Sequence, residues 1–360
     1  MRDPNTVSRR RVLAGAATSM TVAVIAGACG IPGEGGDDDL RSITIVVTQA
    51  AWTSSYAPLA AADELGYFED EGLTVEWVNF PGGATSATQL QQGAADVAIA
   101  APEPVVIGHE NGEFTAQYYA MLFRRTLFGV ATFEGGAVQT AADLEGARVG
   151  VVSLASNGVY VAKAVAAEAG VDPESLQFVE IGAGPQAIAA LGSDAVDVLS
   201  TYDSQYQTML NAGVEVEVLE SDFVSGLNAG GLMALPERLQ DEPELFAAIG
   251  RAVFKGVASC EQDPEECVRL LWEFDPSTKS VEVSEEEAMA NDLSILQRRM
   301  EGSYSLEPDE SQWGSHQDGT WQVFVDYMVE SGQIQGDVDV DGLYTHDLVD
   351  EMNDWDESDL

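Results

Sequence analysis

Aromatic and glycine residues follow the ends of predicted strands in the first third of the chain, where they could bind a small molecule. Trp52 and Tyr56 come between a β-branched segment and a helical one, and they offer flat faces with a polar group. Gly82, Gly83 and Thr85 lie at the next such junction, where free backbone N–H groups could bind an anionic or strongly polar group. Packing in a cleft wall and ordinary turn chemistry are the alternatives for these two groups.

Glu103 lies between Pro102 and Pro104, directly after a predicted buried strand. The prolines hold its backbone rigid, and a rigidly held carboxylate suits a ligand amine or amidine. An acidic residue at a helix N-terminus is also favoured by the helix dipole, so this structural interpretation stays open beside the binding one.

A second set of polar residues follows the predicted strands of the next part of the chain. Ser153, Ser156 and Asn157 come between a strand and a helix, where they could cap the helix or donate to a ligand. Tyr202 and Asp203 follow a later strand and could form the opposite wall of a cleft. Asp203 is equally well explained as a helix N-cap.

These candidate loops contain no recognisable catalytic set. The chain has no Gly-x-Ser-x-Gly, Walker or His-Glu-x-x-His motif, and its three histidines are widely separated and outside the loops. Arg124, next to Arg125, is the one cation that could reach the cleft. We therefore expect a binding module that is not an enzyme and that uses no cofactor and no metal.

Short β-branched segments alternate with Ala-rich helical ones from residue 43 onward, which is typical of parallel sheets covered by helices. The predicted strands are 43–48, 74–79, 97–100, 117–123, 148–152, 177–181, 196–200, 214–219 and 232–235. The predicted helices are 58–65, 85–92, 104–111, 156–169, 185–191, 203–211, 243–260, 264–273, 284–300 and 313–331.

This order predicts an α/β protein with two lobes, each a sheet flanked by helices, and a helical C-terminal extension. Residues 42–133 and 232–360 would form the first lobe and residues 134–231 the second. The extended segments near 128–133 and 231–235 are predicted to connect the lobes. Two such connections make a hinge about which the lobes can close on a ligand.

The charge of the chain limits its partners. Its 360 residues include 61 acidic and only 16 basic ones, which gives a formal net charge of -45. Nucleic acid is excluded as a partner because a phosphate backbone requires a basic surface. The acidic residues recur from Asp37 to Asp359 among apolar segments, so they predict an acidic coat suited to high salt, with an ordinary acidic protein as the alternative.

The N-terminal residues predict export and anchoring. Residues 1–28 resemble a twin-arginine signal peptide, because Arg9 and Arg10 precede a short, weakly apolar segment. Cys29 follows Ala-Gly-Ala and resembles the lipid-attachment cysteine of a lipoprotein, and residues 29–41 read as a flexible tether. We expect an exported protein anchored to the outer face of the cytoplasmic membrane, with plain cleavage as the alternative.

Two further cysteines lie close together in the helical C-terminal part. Cys260 ends one predicted helix and Cys267 lies in the next. Export to an oxidising compartment predicts a disulfide across this corner, and a loop of this length adds about 2 kcal/mol of stability. Two free buried thiols are the alternative.

Several segments carry a resemblance to a known family. They are residues 56–59, 62–75, 89–98, 142–151, 190–191 with 195–198, 332–334 and 343–345. Together they resemble the solute-binding proteins of ABC importers in the nitrate, sulfonate, taurine and thiamine-pyrimidine group. The resemblance implies a two-lobe periplasmic-binding-protein fold of type II and a small ligand clamped between the lobes. It also implies delivery to a permease and its ATPase, and we expect a monomer.

The ligand stays open at this point. The aromatic residues with Glu103 and Asp203 favour a flat, amino-bearing heterocycle, as the thiamine-pyrimidine branch implies. An anionic sulfonate, taurine or nitrate-type ligand, bound by Arg124 and the helix N-termini at Thr85 and Ser156, is the alternative. A ligand-sensing receptor domain would keep the same cleft and anchor. A pyrimidine synthase, which one branch of the superfamily resembles, requires a Cys cluster that this chain lacks.

Overall fold

Strands and helices alternate along residues 40–360, which a computed structural model describes except for 81, 134, 185–186, 189–194, 222–223, 225, 228, 307–311, 318, 331 and 337. The twin-arginine segment, Cys29 and nearly all of the predicted tether lie outside the described residues, as does most of the predicted helix 185–191. Residues Leu40–Leu360 form one unit.

The framework is two five-stranded sheets, in keeping with the α/β prediction of two sheets flanked by helices. In chain order the strands are β1 (Arg41–Thr48), β2 (Leu73–Phe80), β3 (Val97–Ala100), β4 (Gln117–Met121), β5 (Phe128–Phe133), β6 (Arg148–Val151), β7 (Gln177–Glu180), β8 (Val198–Tyr202), β9 (Val216–Val218) and β10 (Gly231–Ala234). The first sheet has the order β2-β1-β3-β10-β4 and the second the order β7-β6-β8-β5-β9.

The sheets are mixed, which corrects the expectation of parallel sheets. β1 pairs in parallel with β2 and β3, and β6 pairs in parallel with β7 and β8. β10 is antiparallel to β3 and β4, and β5 is antiparallel to β8 and β9. The predicted connections 128–133 and 231–235 therefore supply strands inside the two sheets. Each of these strands enters its sheet at the end where the parallel strands finish, so it must run in the opposite direction.

Twelve helices are present among the described residues. They are α1 (Ala57–Glu64), α2 (Tyr67–Asp70), α3 (Gly83–Gln91), α4 (Pro102–Glu110), α5 (Asn157–Glu168), α6 (Asp203–Asn211), α7 (Pro236–Asp241), α8 (Pro243–Gln262), α9 (Pro264–Phe274), α10 (Glu285–Arg299), α11 (Thr320–Glu330) and α12 (Val349–Met352). No helix of the described residues is both long and apolar enough to cross a membrane.

The C-terminal helices begin at well-defined caps. Asp263 accepts a hydrogen bond from the backbone N–H of Glu266 at the start of α9, and Ser284 accepts one from Glu287 at the start of α10. Acidic residues occupy the first turn of α10, and Arg298 and Arg299 its last turn, so both ends of the helix dipole are complemented.

The predicted helix 313–331 is too long at its N-terminal end. α11 begins only at Thr320, and the residues before it run across the edge of the first sheet, where Gly314 pairs with Met121. Gly314 and Gly319 both have φ of 79°, a left-handed conformation that interrupts a helix.

Packing of the C-terminal helices completes the core around the first sheet. α8 carries buried apolar residues along most of its length and packs on α1, and α9 packs beside them. A disulfide joins Cys260 of α8 to Cys267 of α9. α10 follows this layer of helices in the chain and extends from it toward the second sheet.

Candidate ligand-binding site

A cavity of about 440 Å³ lies where the parallel strands of the two sheets end. Residues after β1, β2 and β3 line it from the first sheet, and residues after β6 and β7 and at the end of β8 line it from the second. Loops at the carboxyl ends of parallel strands are the usual ligand-binding edge of α/β sheets. The volume is within the range of small-molecule sites.

Half of the predicted site residues line this cavity. Those from the first part of the chain are Tyr56 and Gly82, and those from the second are Ser153, Ser156, Asn157 and Tyr202. Ser156 is the N-cap residue of α5, but its hydroxyl makes no capping hydrogen bond. The hydroxyl is buried and has no partner among the described residues, so it is available to a ligand.

Three other predicted residues lie elsewhere in the part of the chain before residue 90. Trp52 packs edge-on against Trp77 and Phe274, with ring centroids 5.6 and 4.8 Å away, and does not belong to the described cavity lining. Gly83 lies where α3 packs closely on α4. Thr85 is exposed on α3.

Arg124 and Asp203 also lie outside the cavity lining, and both hydrogen-bond to other residues of the chain. The guanidinium of Arg124 donates to the Ser315 hydroxyl at 3.0 Å, and its backbone N–H donates to the Ser303 carbonyl at 2.8 Å. Asp203 is the first residue of α6, after its N-cap Tyr202, and its carboxylate binds Arg299.

Four aromatic residues cover the cavity: Tyr56, Phe123, Phe128 and Tyr202, here called the aromatic wall. Tyr56 packs edge-on against Phe123 at 6.0 Å, and Phe128 packs edge-on against Tyr202 at 5.9 Å. Burial raises the pKa of Tyr202 to about 12, so its phenol is neutral at physiological pH. The wall therefore offers uncharged flat surfaces on which a planar ring can stack.

Arg299 brings a cation to the cavity, which corrects the expectation that Arg124 was the one candidate. It is 1% exposed, and its guanidinium lies 5.5 Å from the ring of Tyr56 and 5.4 Å from that of Phe123. Burial alone would lower the pKa of Arg299, but the charge and hydrogen bonds of Asp203 outweigh burial, and the net pKa is raised. The guanidinium is thus permanently charged and neutralised by Asp203.

Some of the buried polar atoms that have no hydrogen-bond partner among the described residues belong to the cavity lining. They include Gln49 Oε1, the Ser156 hydroxyl and Arg299 Nη1. Buried polar atoms are nearly always paired in folded proteins, so a group of unpaired ones beside a cavity indicates places for ligand atoms. Gln49 Oε1 accepts, Arg299 Nη1 donates, and the hydroxyl does either.

Glu103 lies behind the cavity wall, and Asn157 lies at the wall in front of it. Glu103 is 5% exposed and accepts a hydrogen bond from Asn157 Nδ2. Burial raises the pKa of Glu103 to about 7, while hydrogen bonds from its own backbone and from Asn157 oppose this rise. Glu103 belongs to α4 and Asn157 to α5, so the bond joins a helix of the first sheet to one of the second.

Sequence reasoning missed the residues that reach the cavity from outside the strand-end loops. Arg299 ends α10, where a basic residue already has a structural explanation in the helix dipole. Phe123, Leu127 and Phe128 come from the segment that passes between the sheets. Only the apolar character of that segment could have indicated them. Gln49 lay within the predicted loop but was not singled out.

The chain matches known proteins along most of its length. The NMT1/THI5 like family model matches residues 53–267. The riboflavin-binding protein RibY of Chloroflexus aurantiacus is 25% identical over 326 residues, which are 88% of this chain and 89% of RibY. A formylaminopyrimidine-binding protein of Halalkalibacterium halodurans is 27% identical over 249 residues, 68% of this chain and 73% of that protein.

A solved structure has the same fold. The alkanesulfonate-binding protein SsuA from Xanthomonas axonopodis pv. citri, bound to MOPS, superimposes with a TM-score of 0.64. The match covers 84% of this chain and 98% of SsuA at 15% sequence identity. The two-sheet architecture is thus that of the periplasmic binding proteins. The chain belongs to the NMT1/THI5-like family and is a solute-binding protein of the ABC-import type.

Proposed function

We propose that this protein captures a flat, uncharged heteroaromatic nutrient that carries both N–H and carbonyl groups, and delivers it to an ABC permease. The aromatic wall carries the proposal, because four neutral rings around one cavity suit a planar ring system. The unpaired donor and acceptor atoms beside the wall suit the mixed polar edge of such a ring.

The charge of the site favours this class over an anion. Arg299 is the one Lys or Arg among the described cavity-lining residues, and Asp203 already neutralises it. A sulfonate or nitrate-type ligand would have to compete with Asp203 or rely on the N-termini of α3 and α5 alone. An anion therefore gains little from this cavity.

The names of two relatives are consistent with the class. RibY is named for riboflavin and the second relative for formylaminopyrimidine, and both ligands contain a pyrimidine ring with polar edges. We propose that this chain takes a ligand of the same chemistry, a pyrimidine-containing vitamin or vitamin precursor.

We also propose that the protein works as two lobes that close on the ligand. The first sheet with its helices and the C-terminal helices would form one lobe, and the second sheet, including β5, the other. The chain passes from the first sheet to the second between β4 and β5, and returns between β9 and β10. The hydrogen bonds Asp203 N to Leu127 O (2.7 Å) and Phe123 N to Gly230 O (3.0 Å) lie beside these connections. Rotation about two such connections opens and closes a cleft.

A ligand screen tests the proposal directly. The domain from residue 40 onward is titrated in multimolar KCl with riboflavin, formylaminopyrimidine, thiamine, taurine, MOPS and nitrate, and its thermal unfolding is followed. A ligand at 100 times its dissociation constant stabilises the fold by about 2.7 kcal/mol. We expect stabilisation by riboflavin or formylaminopyrimidine and none by the three anionic or zwitterionic compounds.

The variant Phe128→Ala serves as the site control, and Val281→Ala, at a side chain that is 93% exposed, serves as the neutral one. Phe128→Ala should remove the ligand-induced stabilisation, whereas Val281→Ala should keep it. Stabilisation by taurine, MOPS or nitrate alone would refute the heteroaromatic class and favour the anionic alternative.

We propose, finally, that the protein is exported and anchored through Cys29, in keeping with the extracytoplasmic role of the family. Expression of the full chain and of Cys29→Ser in a Tat-competent host distinguishes the alternatives. Membrane association that is lost in Cys29→Ser supports the lipid anchor, while equal release of both chains into the medium supports plain cleavage.

A further inference from the structure

The buried contact between Glu103 and Asn157 is not explained by ligand contact at Glu103 itself. Glu103 lies in the first turn of α4 and is not among the described cavity-lining residues, whereas Asn157, the first residue of α5, lines the cavity. Both side chains are buried, at 5% and 2% exposure, and among the described residues Asn157 is the one side chain that hydrogen-bonds the Glu103 carboxyl group.

The direction of this bond decides which end of the amide is left for a ligand. Asn157 Nδ2 donates to Glu103 Oε2, so one of its two N–H groups is used and the amide nitrogen is held toward α4. Asn157 Oδ1 has no hydrogen-bond partner among the described residues. It lies beside the first residue of α3, since a Cβ placed on Gly83 would be 3.6 Å from it. Because Asn157 lines the cavity, Oδ1 is the end of its amide that is left to bind a ligand.

We propose that Glu103 is a positioning residue whose ionisation sets the polarity of Asn157 toward the ligand. An ionised carboxylate only accepts hydrogen bonds, so it holds the amide nitrogen and leaves the oxygen to accept from a ligand N–H. A protonated carboxyl can donate to the amide oxygen, and the amide then turns and presents its NH₂ group. The inference rests on the proposed function, because it concerns the same cavity.

The surroundings of Glu103 allow this change near neutral pH. Burial raises the pKa of Glu103 to about 7. The titratable groups that face it are Tyr118 of β4 and Tyr160 of α5, and the pKa of each is raised by burial and, to a lesser extent, by the charge of Glu103. Both phenols stay neutral in this range, and no charged side chain pairs with Glu103 among the described residues. Glu103 is thus the group that titrates here.

A matched pair of ligands isolates the polarity of the amide from every other effect of pH. Riboflavin has an imide N–H, and 3-methylriboflavin carries a methyl group in its place. Closure of the cleft and the net charge of the protein affect both probes alike, so the ratio of their affinities reports the acceptor at the cavity. We expect the preference for riboflavin to rise about tenfold from pH 5.5 to pH 8.5, the effect of one hydrogen bond.

Two variants on the same helix make the test specific. Glu103→Gln keeps the volume and removes the ionisation, so the affinity ratio should no longer depend on pH. Glu110→Gln changes an equivalent residue at the far end of α4, where Glu110 accepts hydrogen bonds from the backbone of Gln335 and Gly336, and should keep the wild-type pH profile. A ratio that is flat in the wild type, or that falls as pH rises, overturns the proposal.

A measurement without ligand separates this inference from the proposed function. The NMR signal of the Asn157 side-chain amide, identified by its loss in Asn157→Ala, should shift with a midpoint near pH 7 in the wild type and in Glu110→Gln but not in Glu103→Gln. If the amide titrates in this way but no pyrimidine-containing ligand binds, the proposed function fails and the positioning role stands. If such ligands bind but the amide does not titrate, the positioning role is refuted.

Discussion

Arg299 and Asp203 form an ion pair in which Nη2 lies 2.6 Å from Oδ1; the Arg299 side chain is buried and the Asp203 side chain is 16% exposed. Arg299 ends α10, which packs in the core of the first sheet, and Asp203 begins α6 after β8 of the second sheet. The pair therefore joins the two sheets beside the cavity. It also holds the guanidinium next to the rings of Tyr56 and Phe123.

Removing either partner of this pair should destabilise the fold strongly. Arg299→Met and Asp203→Asn should each cost about 3–5 kcal/mol in free energy of unfolding, because each substitution leaves or weakens a buried charge. The double variant should lose less than the sum of the two by about 1–3 kcal/mol. Urea unfolding at constant salt measures the cycle, and additive losses would show that the pair contributes no coupling.

The burial of Glu103 predicts a pH dependence of stability. Its folded pKa, about 7, lies above the ordinary value of 4.5, so the folded state binds the proton more tightly than the unfolded state. The stability that the folded state gains from this tighter proton binding is fully present below pH 4.5. It is lost as pH rises through about 7, and the loss in free energy of unfolding is at most about 3 kcal/mol.

Glu103→Gln provides the reference, because the many surface carboxylates titrate equally in both proteins. The free energy of unfolding of the wild type relative to Glu103→Gln should decrease between pH 4.5 and pH 7.5 at constant salt. A difference that stays constant over this range would mean that Glu103 has an ordinary pKa.

Gly158 should be essential to the position of α5. A Cβ at Gly158 would lie 2.2 Å from the Ser200 carbonyl oxygen, so α5 can pack on β8 only with glycine here. Gly158→Ala should cost about 1–3 kcal/mol by overpacking, and it should weaken ligand binding because Ser156 and Asn157 move with the helix. At Gly302 the nearest atom to a Cβ is 3.9 Å away, so Gly302→Ala should change stability by less than about 0.5 kcal/mol. Calorimetry of both variants checks the difference.

Substitution of Trp52 should affect mainly the stability of the fold, and substitution of Tyr202 should affect mainly ligand binding. Trp52 packs on Trp77 and Phe274, so Trp52→Ala should lower the free energy of unfolding by about 1–3 kcal/mol and leave the ligand affinity within twofold. Tyr202 lines the cavity, so Tyr202→Ala should weaken ligand binding at least tenfold. Titration calorimetry on both variants measures this. A large loss of ligand affinity in Trp52→Ala would mean that Trp52 takes part in ligand binding.

Local patterns in the sequence determined most of the elements and one edge of the cavity. Strands and helices alternate with clear periodicity, and all nine predicted strands appear with bounds within two residues. Tyr56, Ser153, Ser156, Asn157 and Tyr202 reach one cavity because the carboxyl ends of parallel strands meet at the same edge of a sheet. The family resemblance rests on the same local segments.

Contacts between distant residues decided the rest. The direction of β5 and β10 depends on the edge at which the chain enters each sheet, and the position of Arg299 depends on how α10 packs between the first sheet and α6. Glu103 came to lie behind Asn157 only because α4 meets α5. Such relationships join residues 54 to 96 positions apart, and no local pattern of residue types records them.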